Sequence, residues 1–489
     1  MNVVDPILFQ CKCQPTALAL CAPGTLFNQV TYRQLERFIH NVGRQARASG
    51  IVRGNVVALF ISDPILHSVL ILGLTKIGVV TLSSREQKLP RELNVDFALV
   101  DPSFSASPIP RTIKVDPNWL TGEGTPLADA EQPLASTDDP CRIILTSGST
   151  GFPKAILRAN KHVLTRVYRL QTTYGNRFPD CSRIYMSVGL STGIGLTFFI
   201  YTLARGGALF MRDEKSTDFL ETLSAYRVQA MVASPQSLAQ MAELYDQHPT
   251  LGHRFDVIVS TGSLLTQAAS ERVRSRLGAN VISSYGSTEA GVAASGPVAA
   301  LAKVNGAVGF VAPGVRIEIV NSSDEILPVG QEGLVRIRSE CVVDGYVGDP
   351  ETTRLRFRDG CFYPGDIGRL MPNGMLVIAG REHSLINLGG DKVHPERVET
   401  AVTSFPPVRE AAAFAATTST GVHVLGSAVV WRSEADEAGL REHLNQRLPK
   451  VFVPKLLISV NSIPRTSTGK IDRGRVKELV AKSTSPENS

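Results

Sequence analysis

Six short apolar runs recur along the chain: NVVALFI at 55–61, VVTL at 79–82, FALVD at 97–101, RIIL at 142–145, DVIVST at 256–261 and ANVISS at 279–284. They are near-continuously hydrophobic, as strands covered on both faces are, and helix-length segments separate them. A strand that returns parallel to its predecessor needs such a crossover. The pattern therefore restricts the chain to an α/β architecture of stacked, mainly parallel, helix-covered sheets. Two of the crossover helices carry start signals. Thr31-Tyr-Arg-Gln34 fits a capping box, and Leu35, Phe38, Ile39, Val42 and Ala46 follow at helical spacing until Gly50. Asp63-Pro64 supplies an N-cap and a first-turn proline for the next helix.

After about residue 305 the pattern changes to VRIEIV, LVRIRS and MLVIAG, short alternating segments between Asp, Gly and Pro turns. These predict a small antiparallel β region completing a large N-terminal domain. Beyond Gly380 a glycine-rich loop leads back to a β/α pattern, and the tail STSPENS is expected to be disordered. A chain of 489 residues is too long for one core, so the expected division is a large domain over 1–380 and a small mobile α+β domain over 381–489.

The 51 basic and 45 acidic residues are interspersed, with net charge +6 and no basic stripe, which argues against nucleic-acid or membrane-surface binding. Seven scattered cysteines do not form a disulfide framework and point to a reduced, cytoplasmic protein. Cys11 and Cys13 have no second pair at zinc-site spacing. Met186 to Ala204 is uncharged, but its three glycines favour a buried helix with a preceding loop over a membrane span. The N-terminus lacks the basic and apolar regions of a signal peptide. No feature fixes the oligomeric state.

Directly after RIIL comes LTSGSTGFPK, residues 145–154. Glycines let backbone N–H groups approach a ligand, hydroxyls add donors and a lysine adds charge, a combination suited to a phosphate chain. The spacing Gly148-x-x-Gly151-x-x-Lys154 is not that of a Walker A loop, and Ala155 offers no magnesium-binding hydroxyl. A plain surface turn is the alternative for this loop taken alone. SSYGSTEAG at 283–291 also follows a strand. There Tyr285 can pack against a purine, Thr288 bond a phosphate and Glu289 hold Mg²⁺.

With YPGDIGRL (363–370), GREHSLINLGGDKVHPERVE (380–399) and PRTSTGKIDR (464–473), these loops make five motifs in fixed order. In them the sequence resembles the adenylate-forming superfamily of acyl-CoA synthetases, luciferases and nonribosomal adenylation domains, over nearly its whole length. The resemblance implies that ATP and Mg²⁺ activate a carboxylic acid as acyl-AMP with release of pyrophosphate. A thiol then takes the acyl group after the small domain rotates.

By the same resemblance, Thr146, Ser147, Gly148, Ser149, Thr150, Gly151 and Lys154 form the loop over the β- and γ-phosphates. Tyr285 and Gly286 border the adenine, Thr288 meets the α-phosphate, and Glu289 with Thr150 holds the metal. Asp366 and Arg381 reach the ribose. Lys470 matches the catalytic lysine, whose ammonium offsets the charge built as a carboxylate attacks the α-phosphate. It is also a conceivable acetylation target.

His383 stands at the hinge, where Asp or Lys is usual, and Gly389 and Gly390 flank the pantetheine channel. Asn387 replaces a lysine that many relatives use in the second step, and Pro364 a usual Thr or Ser. Thr192 and Ser284 fall where relatives shape the acid pocket. The first leaves room and the second takes it away, so the pocket's size stays open. No Asp or Glu occurs from Cys181 to Arg212, which disfavours an amino acid, since its ammonium would need one. VHPERVE resembles the form found in CoA ligases, and no carrier domain follows, so coenzyme A is the expected acceptor. A separate acyl-carrier protein, or a nucleotide-binding homologue without catalysis, is the alternative.

Overall fold

The computed structural model describes the chain except residues 26, 85–88, 91, 105–108, 123–135, 147–152, 175–181, 212–217, 249–252, 383–385, 388–391, 418–422, 467–469 and 484–489. Helix α1 (Tyr32–Ala48) starts at the expected capping box: Thr31 Oγ1 accepts from the Gln34 amide, and Gln34 Oε1 accepts from the Thr31 amide. Helix α2 (Pro64–Lys76) starts on Asp63, whose Oδ1 accepts from the amides of Ile65 and Leu66. With α3 (Asn160–Tyr174) and α4 (Gly193–Ala204), these helices form a layer between two sheets. One core joins all four helices to Val57 and Leu59 on one side and to Ile184, Val232 and Val259 on the other. That double covering explains why α2 is apolar nearly all round.

The first sheet runs Thr112–Lys114, Phe97–Val100, Val56–Phe60, Val80–Ser83 and Pro140–Thr146, all parallel, and ends with antiparallel Lys154–Ala159. The second has fifteen strands among the described residues. Its parallel part runs Leu18–Cys21, Ala208–Phe210, Arg183–Met186, Ala230–Ala233, Val257–Thr261 and Val281–Ser287. Gly291–Pro297 then turns back antiparallel, followed by Ala307–Val311, Met375–Arg381, Asp366–Leu370 and Gly333–Arg338.

The expected antiparallel region thus continues the parallel sheet directly, and the change of direction falls at a hairpin before residue 305. That hairpin is tight enough to demand glycine: a Cβ on Gly286 would lie 2.2 Å from the carbonyl oxygen of Gly291.

Met186–Ala204 resolves into a loop and helix α4, and among the described residues no helix is long and apolar enough to cross a membrane. The C-x-C pair splits at the end of helix Asp5–Cys13, with Cys11 buried and Cys13 exposed. Residues 484–489 of the Ser-rich tail lie outside the described residues.

The C-terminal part builds a sheet of its own. Val408–Thr417 pairs antiparallel with His423–Trp431, which pairs parallel with Leu456–Ser459. Helices Pro395–Thr403 and Glu437–Asn445 cover one face through Val398, Leu440 and Leu444. Helix α5 (Arg473–Ser483) covers the other through Val476 and Val480.

Helices α1 and α2 cross at Gly73, where a Cβ would lie 2.5 Å from Val42 Cγ1 and 3.0 Å from the Ile39 carbonyl oxygen. Gly73→Ala is expected to destabilise the protein by about 1–3 kcal/mol through overpacking, although alanine is the better helix former. The measurement is the urea midpoint at unchanged m-value. An unchanged or higher midpoint would show that the crossing yields.

Candidate active site

A cavity of about 890 Å³ lies beyond the carboxyl ends of the parallel strands, where Ser234, Thr261 and Ser284 line it. Open α/β sheets place ligand sites at this end. Of the residues singled out in the sequence, Thr146, Lys154, Thr192, Ser284, Gly286, Thr288, Glu289, Arg381 and Lys470 line this one cavity, and Pro364 joins them. Ser147, Gly148, Ser149, Thr150, Gly151, His383, Gly389 and Gly390 lie outside the described residues. Asn387 is placed only as part of a short strand, Ile386–Asn387.

At one end, Asp366 and Arg381 face each other in register across two strands. Asp366 is 6% exposed. Its Oδ2 accepts from the Tyr285 hydroxyl and its Oδ1 from Arg381 Nε at 3.1 Å. Burial and the Asp366 charge hold the Tyr285 phenol well above its ordinary value, so it stays a donor. Each carboxylate oxygen has two acceptor sites, so Asp366 keeps capacity for two more hydroxyls.

Glu289 is similarly buried, 8% exposed. Its Oε1 accepts from the Tyr346 hydroxyl at 2.8 Å, and no described residue engages its other oxygen. Burial, then Glu289, raises the Tyr346 phenol. Lys154 Nζ lies 5.0 Å from the centre of the Tyr346 ring and 3.5 Å from Asp349 Oδ2. Among the described residues no three His, Cys, Asp or Glu side chains gather as a metal cage. One carboxylate with a spare oxygen still fits Mg²⁺, which typically brings waters and substrate phosphate oxygens as its other ligands.

Lys470 reaches the cavity from a loop closed on itself: the Thr466 amide donates to the Lys470 carbonyl at 2.8 Å, and the Lys470 amide to Thr466 Oγ1 at 3.3 Å. Burial, then the Arg381 charge, lowers the Lys470 ammonium below the ordinary lysine value, against the pull of Asp366 and Glu289.

At the other end, Thr192 is the N-cap of α4: its Oγ1 accepts from the Gly195 amide and donates to the Gly189 carbonyl. The Ser284 hydroxyl is engaged with Tyr174 at 2.8 Å. Both small residues therefore have their hydroxyls committed to the protein.

Three residues here escaped the sequence reading. Tyr346 sits in DGYVGDPETT, a turn-rich stretch with no charge pattern to mark it. Arg158 lies in a strand and donates from Nη2 to the Thr288 carbonyl at 2.7 Å. Arg166, on α3, donates from Nη2 to the carbonyls of Glu289 at 3.1 Å and Cys341 at 2.7 Å. An isolated arginine in an apolar run carries no motif, so nothing in the sequence tied either one to the site.

Residues 9–347 match the AMP-binding enzyme family, and residues 397–470 match the AMP-binding enzyme C-terminal domain. The chain belongs to the AMP-binding enzyme family. Membership makes it an adenylate-forming enzyme that uses ATP to activate an acid. Over 508 residues this AMP-binding enzyme is 24% identical to a 4-chlorobenzoate–CoA ligase of an Arthrobacter species, covering 96% of this chain and 93% of the relative. It is 28% identical over 515 residues to a medium/long-chain-fatty-acid–acyl-carrier-protein ligase of Mycobacterium tuberculosis, covering 96% and 94% of the two chains. The solved structure of an o-succinylbenzoate CoA synthetase from Bacillus subtilis, with its acyl-adenylate intermediate, shares the fold at TM-score 0.83 and 20% identity, over 97% of this chain and 98% of that one.

Tyr346→Phe removes the hydrogen bond that orients Glu289. It is expected to raise the Mg²⁺ concentration for half-maximal adenylation about 10-fold. Titration of pyrophosphate exchange with Mg²⁺ checks this, and an unchanged midpoint would separate Tyr346 from metal binding.

Proposed function

We propose that this AMP-binding enzyme is an acid:coenzyme A ligase: ATP and Mg²⁺ activate a non-amino carboxylic acid as acyl-AMP, and coenzyme A accepts the acyl group. The observation that carries the reading is the meeting of Thr288, Glu289, Arg381 and Lys470 in one cavity, from segments far apart in sequence. In the first step an oxygen of the acid's carboxylate attacks the α-phosphorus, the bond to the bridging oxygen breaks, and pyrophosphate leaves. Thr288 bonds the α-phosphate, Asp366 and Arg381 hold the ribose, and Tyr285 and Gly286 border the base. Lys470 places its ammonium between the two anions that must meet. Glu289 and Thr150 would hold Mg²⁺, whose charge would screen the phosphates.

In the second step the thiol sulfur of coenzyme A attacks the acyl carbon, its proton goes to solvent, and AMP leaves. Lys470 withdraws as the small domain, from residue 381 onward, turns about His383. Gly389 and Gly390 border the channel for the thiol arm. With the six cysteines among the described residues free, a reducing compartment such as the cytoplasm suits the protein. A second reading replaces coenzyme A with a carrier protein. The full-length similarity to a ligase named for that acceptor favours it.

Exchange of pyrophosphate into ATP over a panel of acids, each with and without coenzyme A, tests the reading. Exchange with thioester is the expected result. Exchange without thioester moves the acceptor to a carrier protein, and no exchange with any acid would leave a nucleotide-binding homologue. Lys470→Ala is expected to slow exchange about 10²–10³-fold, as loss of one transition-state charge partner does, while thioester formation from supplied acyl-AMP persists.

The active form of Lys470 is the protonated one. Since its folded pKa is lowered, exchange should be full at neutral pH and fall at a pH below the ordinary lysine value of 10.5. Lys470→Arg should move that alkaline limb upward. A limb that stays in place would assign it to another group.

A further inference from the structure

We propose that the acid activated here is a dicarboxylate, with its second carboxylate held by Arg166 on the wall of the cavity between α3 and α4. The inference rests on the acid-activating reading above and adds the class of acid. Arg166 lines the cavity and is 5% exposed. Its Nη2 is taken by two carbonyls, its Nε has no hydrogen-bond partner, and no carboxylate pairs with it among the described residues. Buried guanidinium groups are normally paired, because a desolvated charge without a partner is costly, and arginine keeps its proton.

A second cation stands behind the same wall. A Cβ on Gly193, which lines the cavity, would lie 2.7 Å from Arg158 Nη2. Arg158 is fully buried, its Nε and Nη1 lack partners, and it too has no carboxylate among the described residues. Gly193 is also the first residue of α4, so the positive end of a helix points at the same place. Burial brings Arg166 down to about 10, and burial with the Arg166 charge lowers Arg158 as well. Two like charges and a helix end thus share a region where the Glu289 charge attracts both arginines, yet no carboxylate pairs with either among the described residues.

Glu289, the one carboxylate that lines the cavity among the described residues, does not fill the need. Its backbone carbonyl accepts from Arg166, while its side chain turns to Tyr346. The phosphates of ATP have Lys154 and Lys470 available to them. Arg166 instead shares its wall with Leu170, Thr173 and Ile194, on the side that the Ser284–Tyr174 hydrogen bond closes. A monoacid would leave Arg166 facing an uncharged chain. A second carboxylate supplies the missing counter-charge and two acceptor oxygens for its free donors.

The test is pyrophosphate exchange with acids matched in skeleton and differing by one carboxylate: butanoate and succinate, hexanoate and adipate, benzoate and isophthalate. The expected result for the wild type is kcat/KM at least about 10-fold higher for the best diacid than for its monoacid partner. In Arg166→Met that ratio should fall to near unity, while Arg166→Lys should keep part of it. If Arg166 serves only to support the Glu289 turn, Arg166→Met lowers both members of a pair alike and the inference fails. Wild-type exchange that is equal or faster with the monoacids overturns the dicarboxylate while leaving acid activation intact. No exchange with any acid overturns both. The wild-type ratios decide even if the methionine variant does not fold.

Discussion

The turn that carries Thr288 and Glu289 is held from beneath by two buried arginines, and the geometry of the site depends on that grip. Backbone carbonyls turned into the interior must find donors. Here the donors arrive on long side chains from elsewhere: Arg158 from the edge strand of the six-stranded sheet, Arg166 from a helix of the layer between the sheets. Arg158 therefore ties the first sheet directly to the hairpin at which the second sheet changes direction. The position of these two cavity-lining residues is set jointly by both sheets and not by the local loop alone. The close contact of Gly286 with Gly291 fixes the same turn from the other side.

The electrical character of the cavity follows from this arrangement more than from the net charge of the chain. Lys154, Arg166, Arg169, Arg356, Arg381, Lys470, Arg473 and Lys477 line it, against the single carboxylate of Glu289 among the described residues. Low-dielectric walls carrying one sign of charge focus the field and raise the local concentration of anions. ATP and the acid are both anionic, so one wall composition suits both ligands. Two of these cations, Arg473 and Lys477, come from a part of the chain with its own sheet and cores, as does Lys470. One link across the two parts is the Arg409–Glu243 ion pair at 3.6 Å, partly exposed and worth no more than about 1 kcal/mol.

What the sequence disclosed was local. The caps at Thr31 and Asp63 and the buried strands depend on neighbours a few residues away, and the structure has each of these where the pattern predicts it. The family was legible because five such local patterns occur in order. What stayed hidden was tertiary. Tyr346 matters because it meets Glu289, and Arg158 and Arg166 because they meet carbonyls more than a hundred positions onward. Thr192, read from the resemblance as a wall of the acid pocket, also has a plain local task as the N-cap of α4. The continuity of the antiparallel strands with the parallel sheet was equally invisible, since an alternating segment looks the same at the edge of one sheet as in a sheet of its own.

The strand Leu18–Cys21 gives the fold a direction in time. It pairs in parallel with Ala208–Phe210, and it reaches that partner only after nearly two hundred further residues have been made. Antiparallel Gln29–Thr31 is its one early neighbour. At typical rates of synthesis the interval is at least about ten seconds. Throughout it, one edge of an apolar strand faces solvent, open to pairing with a neighbouring nascent chain. The six-stranded sheet is complete by residue 159 and has no such wait. Nascent-chain quality control would meet this waiting edge before the second sheet is complete.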